Sequence, residues 1–225
     1  MRLLQLCKKY PFPPKDGESI AIYNLAAALH EAGATIDMLA MNTARHQVAV
    51  KPRVEWAVYE KVNSLPVDNR IRLAPAFVNL FSAKSYHIER FVSRAFAQKL
   101  RAILEQTDYD IVQLETLYLI PYLPIIRKYS RAKICLRAHN IEHEIWERIV
   151  ATTPPGLKHW YLRYLTRKLR NYELSSWSEI DLLATISERD WAKFQRLGYV
   201  GQGLAIPIGL DTRDYKPAFP DYQSP

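Results

Sequence analysis

Short apolar runs alternate with amphipathic stretches from the first residues of the chain. The first run, Arg2–Cys7, is followed by a proline-rich loop, and apolar residues then recur at helical spacing from Ile20 to Ala32, where Gly33 ends the pattern. A second apolar run follows at Thr35–Ala40. A strand, a helix and a strand within roughly 40 residues make a βαβ unit, so these two strands are predicted to be parallel.

The same alternation continues through most of the chain. It predicts further strands at Val54–Tyr59, Ile111–Leu114, Lys133–Arg137, Asp181–Ile186 and Leu204–Ile206, and helices at Tyr86–Glu105, Tyr118–Tyr129, Glu142–Val150, Leu157–Trp177 and Glu188–Leu197. Such alternation predicts an α/β fold, with a Rossmann-like parallel sheet and helices on both faces. Ser19 is the predicted N-cap of the first helix. One domain is expected over residues 1–210, with residues 211–225, which carry three prolines, as a linker.

Composition is typical of a globular protein, and the net charge indicates an anionic partner, which could be nucleic acid, a phosphorylated substrate or a membrane surface. It has 225 residues, 48% of them hydrophobic, and a formal net charge of +8. No apolar run reaches the roughly 20 residues that cross a bilayer, and the N-terminus does not fit a signal peptide, so a cytoplasmic location is expected. Cys7 and Cys135 fall in predicted strands and are expected to be buried free thiols. No spacing fits a metal site, and no element fits nucleic-acid docking.

Candidate chemistry follows from the rule that ligands bind beyond the carboxyl ends of parallel strands. His139 is the candidate catalytic residue, because an imidazole there can donate to a sugar hydroxyl or a developing leaving-group charge. The candidate substrate-binding residues share this strand-end placement: Asp16, Gly17, Glu18, Glu115, Arg137, Asn140, Glu142 and Ser187. Gly17 lies at the start of the first predicted helix, whose free N–H groups can bind a phosphate, and its lack of a side chain lets a ligand approach the backbone closely. The competing interpretation is a plain turn at Gly17, with Asn140 as a helix cap and both Glu142 and His143 solvated.

The predicted helix at 157–177 is both basic and aromatic. Its apolar and aromatic residues form one stripe, and His159, Arg163, Arg167 and Arg170 lie opposite. One interpretation is a core-packed helix with a solvated face. The other is peripheral contact with an anionic lipid headgroup or a phosphate-bearing acceptor.

Four segments, taken in order, resemble the N-terminal domain of glycosyltransferase family 4, which has the GT-B architecture. They are the loop 9–17, the strand end 136–143, the stretch from Tyr172-Glu173 through 181–190, and the segment 206–217. The resemblance implies a metal-independent, retaining transfer from a nucleotide-activated sugar to a glycan or lipid-linked acceptor, as in hexosyl- and mannosyltransferases of polysaccharide biosynthesis. It implies no cofactor beyond the nucleotide sugar and no enzyme nucleophile.

The sequence also departs from this family. Glu18 stands where a second glycine is common, which narrows the room for a diphosphate, and Ile208 stands where asparagine is usual. The donor-binding domain of the family has no counterpart in these 225 residues, so the chain alone is expected to be inactive. The alternative hypothesis is a non-catalytic α/β module that binds glycans or anionic lipids.

Overall fold

A seven-stranded parallel sheet forms the centre of the computed structural model, which describes residues 1–72, 74, 78–82 and 84–209. The strands are β1 (Arg2–Cys7), β2 (Thr35–Thr43), β3 (Lys61–Val67), β4 (Ile111–Leu114), β5 (Lys133–Ala138), β6 (Leu182–Thr185) and β7 (Gly203–Ala205). Their order across the sheet is β3-β2-β1-β4-β5-β6-β7. The predicted Rossmann-like α/β fold is therefore confirmed.

Helices follow most of the strands. They are α1 (Gly17–Glu31), α2 (Tyr86–Glu89), α3 (Arg94–Gln106), α4 (Leu123–Tyr129), α5 (Glu142–Ala151), α6 (Leu157–Ser176) and α7 (Glu188–Arg196). Short 3₁₀ turns occur at Val54–Val58, Asn79–Phe81, Leu117–Tyr122 and Trp177–Glu179. The chain runs outward from β1 to β3, then returns to β4 and continues to β7, so the direction of winding reverses between β1 and β4.

This reversal puts helices on both faces of the sheet, because crossovers between parallel strands are right-handed. One apolar core lies under α1 and includes Leu3, Ile22 and Ile36. The other, larger core lies under the later helices and includes Leu4, Phe96 and Leu169. Alternate residues of β1 enter different cores, as the two-residue period of a strand requires.

The third strand was assigned to the wrong segment by the sequence pattern. Val54–Val58 is a 3₁₀ turn, and the strand beside β2 is Lys61–Val67. Pro66 is unusual within a strand, since proline cannot donate to a ladder. The structure accommodates Pro66 because β3 pairs only with β2 and lies at the edge of the sheet.

Several helix boundaries also differ from the prediction. The long helix expected from Tyr86 is interrupted before Ser93, whose side chain caps a second helix by accepting from the Phe96 N–H. The helix expected over 118–129 begins as a 3₁₀ turn that contains Pro121. Asp16, and not Ser19, is the N-cap of α1. The predicted linker, 211–225, lies outside the described residues.

Both cysteines are buried and have free thiols. Burial raises the pKa of each thiol, and the carboxylate of Glu115 adds to the effect. Within the described ranges, no helix is both long enough and apolar enough to span a bilayer.

Candidate functional site

The carboxyl ends of β1, β4 and β5 lie side by side in the middle of the sheet. The next residues of the chain are Lys8 after β1, Glu115 after β4 and His139 after β5. In a parallel sheet these positions share one edge, which is where ligands bind in open α/β folds. The structure therefore brings together side chains that are far apart in the sequence.

Glu115 is the centre of this polar cluster and has no exposed surface. One carboxylate oxygen, Oε1, accepts from the side-chain amides of Gln5, at 2.6 Å, and Gln113. The other oxygen, Oε2, lies 2.9 Å from His139 Nε2 and 3.8 Å from a guanidinium nitrogen of Arg137. Burial alone would raise the pKa of Glu115, but the hydrogen bond with His139 and the charge of Arg137 outweigh it and lower the pKa.

This carboxylate fixes the orientation of the His139 ring. An ionised Glu115 can only accept hydrogen bonds, so Nε2 of His139 must carry the proton that is shared with it. In the neutral ring the other nitrogen, Nδ1, then has a free lone pair. No described residue hydrogen-bonds to this Nδ1. His139 is itself mostly buried, with 6% of its surface exposed, so Nδ1 is the part of the ring left for a ligand.

Glu142 forms a second buried group at the same edge. Its Oε2 accepts from the Tyr118 hydroxyl at 3.0 Å, and its Oε1 lies 3.9 Å from Lys8 Nζ. Lys8 also lies over the Tyr118 ring, 4.9 Å from the centroid. Burial raises the pKa of the Glu142 carboxyl, and the Lys8 charge only partly opposes this shift. Glu142 is thus a carboxyl that takes up a proton more readily than an exposed glutamate.

The start of α1 borders this group through two lysines. Lys9 Nζ lies 2.7 Å from Asp16 Oδ1, and both Lys8 and Lys9 lie 3.5 Å from Glu18 Oε2. Asp16 also caps α1 by accepting from the Ser19 N–H at 3.0 Å. A Cβ added at Gly17 would meet nothing within 4 Å, so its backbone faces open space. The carboxylates of Asp16 and Glu18 together offset the charges of the two lysines, which would otherwise attract a phosphate.

Three other predicted site residues are placed differently. Arg137 is 1% exposed, and its guanidinium donates to the Ala21 carbonyl at 2.7 Å, which ties β5 to α1. Asn140 is exposed in the turn before α5 and is not its cap. Ser187 caps α7, with its hydroxyl donating to Asp190 Oδ2 at 2.7 Å. The structure thus gives Arg137 and Ser187 internal partners and leaves Asn140 in solvent.

Glu173 caps α5 from a distance in the sequence. Its carboxylate accepts from the backbone N–H groups of Glu142 and His143, at 3.0 and 2.9 Å. It also lies 2.7 Å from Nδ1 of His143, and both side chains are buried. A negative charge at a helix N-terminus is stabilised by the helix dipole. Glu173 therefore fixes the turn that carries His139. Glu142 and His143 are both buried, so the competing interpretation, in which they are solvated, is wrong for these two residues.

Sequence reasoning assigned no site role to several members of the site: Gln5, Lys8, Lys9, Gln113, Tyr118 and Glu173. Gln5 and Gln113 carry a usable signal, since each is a polar residue within an otherwise apolar strand. A buried amide needs hydrogen-bond partners, so two such residues indicate a buried acceptor between them. For Glu173 the sequence offers its place in the Tyr172-Glu173 segment of the family resemblance, but no role for it.

No metal site accompanies these residues within the part of the chain that the structure describes. No group of three or more histidine, cysteine, aspartate or glutamate side chains is arranged there to hold an ion. The arrangement offers hydrogen-bond partners for hydroxyl groups at Glu142 and His139, and a helix N-terminus beside two lysines.

Comparison with known proteins identifies the fold. No protein-family model matches the sequence, and no curated protein matches it. Sucrose-phosphate synthase from Thermosynechococcus elongatus superposes with a TM-score of 0.59 at 13% identity, over 95% of this chain and 49% of that one. UGT71G1 of Medicago truncatula, complexed with UDP-glucose, gives 0.56 at 8% identity, over 96% and 54%. Anabaena HepE, in complex with UDP and glucose, gives 0.51 at 12% identity, over 93% and 45%.

These neighbours show the fold: the chain has the Rossmann-like α/β fold that is seen in GT-B glycosyltransferase domains. It spans about half the length of the solved chains that it matches, at 49%, 45% and 54%. The likeness at this level of identity shows the fold, and assignment to glycosyltransferase family 4 stays a prediction.

Proposed function

We propose that this chain is the acceptor-side domain of a GT-B glycosyltransferase, which transfers a sugar from a nucleotide-sugar donor to a glycan or lipid-linked acceptor. The observation that carries the proposal is the buried pair of His139 and Glu115, 2.9 Å apart at the carboxyl edge of a sheet with this fold. Two solved neighbours hold UDP with glucose or UDP-glucose, which supports a nucleotide sugar as donor.

In this proposal His139 acts on a hydroxyl group near the reacting centre. Glu115 holds Nε2 protonated, so Nδ1 of the neutral ring accepts the hydrogen bond of a hydroxyl or takes up its proton. Glu142 lies on the first turn of α5, three residues further along, and offers a second acceptor. The fixed ring orientation means that little reorganisation is needed when the substrate binds.

The donor phosphates are assigned to the start of α1. Gly17 leaves its backbone open, and the helix N-terminus together with Lys8 and Lys9 favours negative charge. A phosphate that enters here competes with the Glu18 carboxylate for the two lysines. The remainder of the donor is assigned to a second domain, because the solved neighbours are about twice as long as this chain. Retention of the anomeric configuration and inactivity of the chain without that domain are parts of the same proposal.

The proposal is tested by sugar transfer in the full-length protein. Release of nucleoside diphosphate is measured with a panel of nucleotide sugars and with extracted glycans or glycolipids as acceptors. We expect turnover with one donor that falls at least about a hundredfold in the His139→Gln variant. Proton magnetic resonance of the product reports whether the anomeric configuration is kept. Absence of donor binding by the full-length protein would contradict the proposal.

A binding module without catalysis is the second candidate, favoured by the internal pairing of Glu18 with Lys8 and Lys9. Such a module would bind a glycan or an anionic lipid but release no nucleoside diphosphate with any donor. The same assay with the full-length protein separates the two functions, because only the transferase releases nucleoside diphosphate.

A further inference from the structure

One face of α6 exposes apolar and aromatic side chains to solvent. Leu157 is 89% exposed and Trp160 is 56% exposed. The Trp160 ring stacks on the Tyr164 ring, with centroids 5.9 Å apart and planes inclined by 7°. The Tyr164 ring therefore packs against one face of the Trp160 ring, and the rest of the Trp160 side chain is exposed to solvent. Aqueous exposure of two large apolar side chains on one helix face is unfavourable unless something binds there.

A neighbouring turn adds a third apolar side chain to this face. The Tyr164 hydroxyl donates to the Leu80 carbonyl at 2.6 Å, and Lys168 Nζ donates to the Asn79 carbonyl at 2.6 Å. These bonds fix the 3₁₀ turn beside α6, and Phe81 in that turn is 83% exposed. We name Phe81, Leu157 and Trp160 together the aromatic patch.

Three arginines lie on the side of α6 that borders α5, next to Trp160 at the edge of the apolar stripe. Arg163, Arg167 and Arg170 are spaced by four and three residues, which places them on one side of a helix. All three are exposed and line an open groove of about 520 Å³ between α5 and α6, where Glu147 is the one acidic residue of the lining. None of the three makes an ion pair with a described residue. Their positive charge is thus largely uncompensated.

We propose that the aromatic patch and the three arginines dock the protein on a bilayer surface that contains anionic lipids. Tryptophan, phenylalanine and leucine enter the boundary between headgroups and acyl chains, while arginines beside them contact lipid phosphates. A second copy of the chain is disfavoured as occupant, because the two arginine rows and two net charges of +8 would repel. The inference goes beyond the proposed function and needs no sugar substrate for its test.

Vesicle flotation with the full chain tests the proposal. The vesicles are phosphatidylcholine alone, or phosphatidylcholine mixed with phosphatidylglycerol, at low and high salt. We expect binding to the mixed vesicles only, weakened by salt because exposed charges are screened. Replacing Arg163, Arg167 and Arg170 by glutamine should weaken this binding about a hundredfold.

A matched control removes the same charge from another surface. Arg94, Lys128 and Arg131 are exposed on or beside α3 and α4, and their joint replacement by glutamine should change binding by less than about threefold. If the control variant weakens vesicle binding as much as the α6 variant does, binding depends on the net charge of the protein and not on the arginines of α6, and the proposed docking surface is wrong. Circular dichroism and the thermal midpoint of each variant establish that it is folded.

The aromatic patch is tested by separate variants. Trp160→Ser should weaken binding to the mixed vesicles roughly tenfold, although no charge changes. Trp160→Phe should retain binding but lose the tryptophan fluorescence that bromine-labelled or spin-labelled lipids quench. Full binding by Trp160→Ser, unchanged quenching in Trp160→Phe, or failure of the wild-type chain to bind mixed vesicles would overturn the proposal. If the full-length protein transfers no sugar but the chain binds mixed vesicles normally, only the proposed function is contradicted, and the membrane-docking proposal stands.

Discussion

Replacement of His139 by two different residues separates a chemical role from a packing role. In His139→Ala the buried Glu115 carboxylate loses one hydrogen-bond partner but keeps the amides of Gln5 and Gln113. Loss of one such bond to a buried charge costs about 2 kcal/mol, which lowers the thermal midpoint of a chain of this size by roughly 4–8 °C. In His139→Gln the side-chain amide nitrogen can replace Nε2, so the midpoint should fall by no more than about 2 °C.

Turnover should respond in a different pattern. Neither alanine nor glutamine takes up a proton, so both variants should lose about a hundredfold or more in kcat of the full-length enzyme. The assay is release of nucleoside diphosphate at saturating donor, with thermal midpoints measured on the same preparations. A matched control is His143→Asn, in which the amide can still donate to Glu173, and kcat should stay within about twofold of wild type.

One result would refute this reasoning directly. If His139→Gln has nearly wild-type turnover, hydrogen bonding to Glu115 is all that the imidazole supplies, and His139 is a packing residue. If the loss of kcat in His139→Ala follows only the unfolded fraction at the assay temperature, the same conclusion holds. The comparison works because glutamine restores the bond to Glu115 without restoring the second ring nitrogen.

Three further outcomes are expected. Gly17→Ala should leave the thermal midpoint unchanged or slightly raised, since a Cβ meets nothing within 4 Å, while the donor KM rises because the methyl group fills space assigned to phosphate. Glu173→Ala should lower the free energy of unfolding by about 2–4 kcal/mol in urea titrations, because two backbone N–H groups and His143 lose their acceptor. Burial and the charge of Arg90 lower the pKa of His87 to about 3, so only the unfolded chain takes up this proton near pH 6.5. Stability should then fall below pH 6.5, by about 2 kcal/mol at pH 5, and this fall should be absent in His87→Phe.

The order of strands and helices could be predicted because hydrophobic periodicity is a local property. β1 was predicted with its observed bounds, and β4 likewise, since each is a continuous apolar run between loop residues. β3 could not be predicted, because its pattern is set by its edge position. An edge strand tolerates Pro66 and half-exposed residues that would disqualify an interior strand.

The candidate site was predictable only as far as the strand-end rule extends. That rule brings Glu115 and His139 to one edge, although 24 residues separate them. The rule cannot tell which side chains face the ligand side of the edge, so it made both Arg137 and His139 candidate site residues. In the structure the Arg137 guanidinium donates to the Ala21 carbonyl instead. The rule also cannot find Glu173, whose contact with α5 depends on how two helices pack.

The polar residues of the site divide into those that hydrogen-bond to other elements of the domain and those that do not. Arg137 and Glu173 are buried and have partners on other elements, so their role is to hold the sheet edge in one shape. Nδ1 of His139 and the backbone N–H of Gly17 have no such partners among the described residues. A rigid frame that leaves a few oriented groups unsatisfied is the arrangement that binding and catalysis need, since orientation is then established before the ligand arrives. This contrast, rather than the number of polar residues at the edge, is the physical reason for assigning the substrate to it.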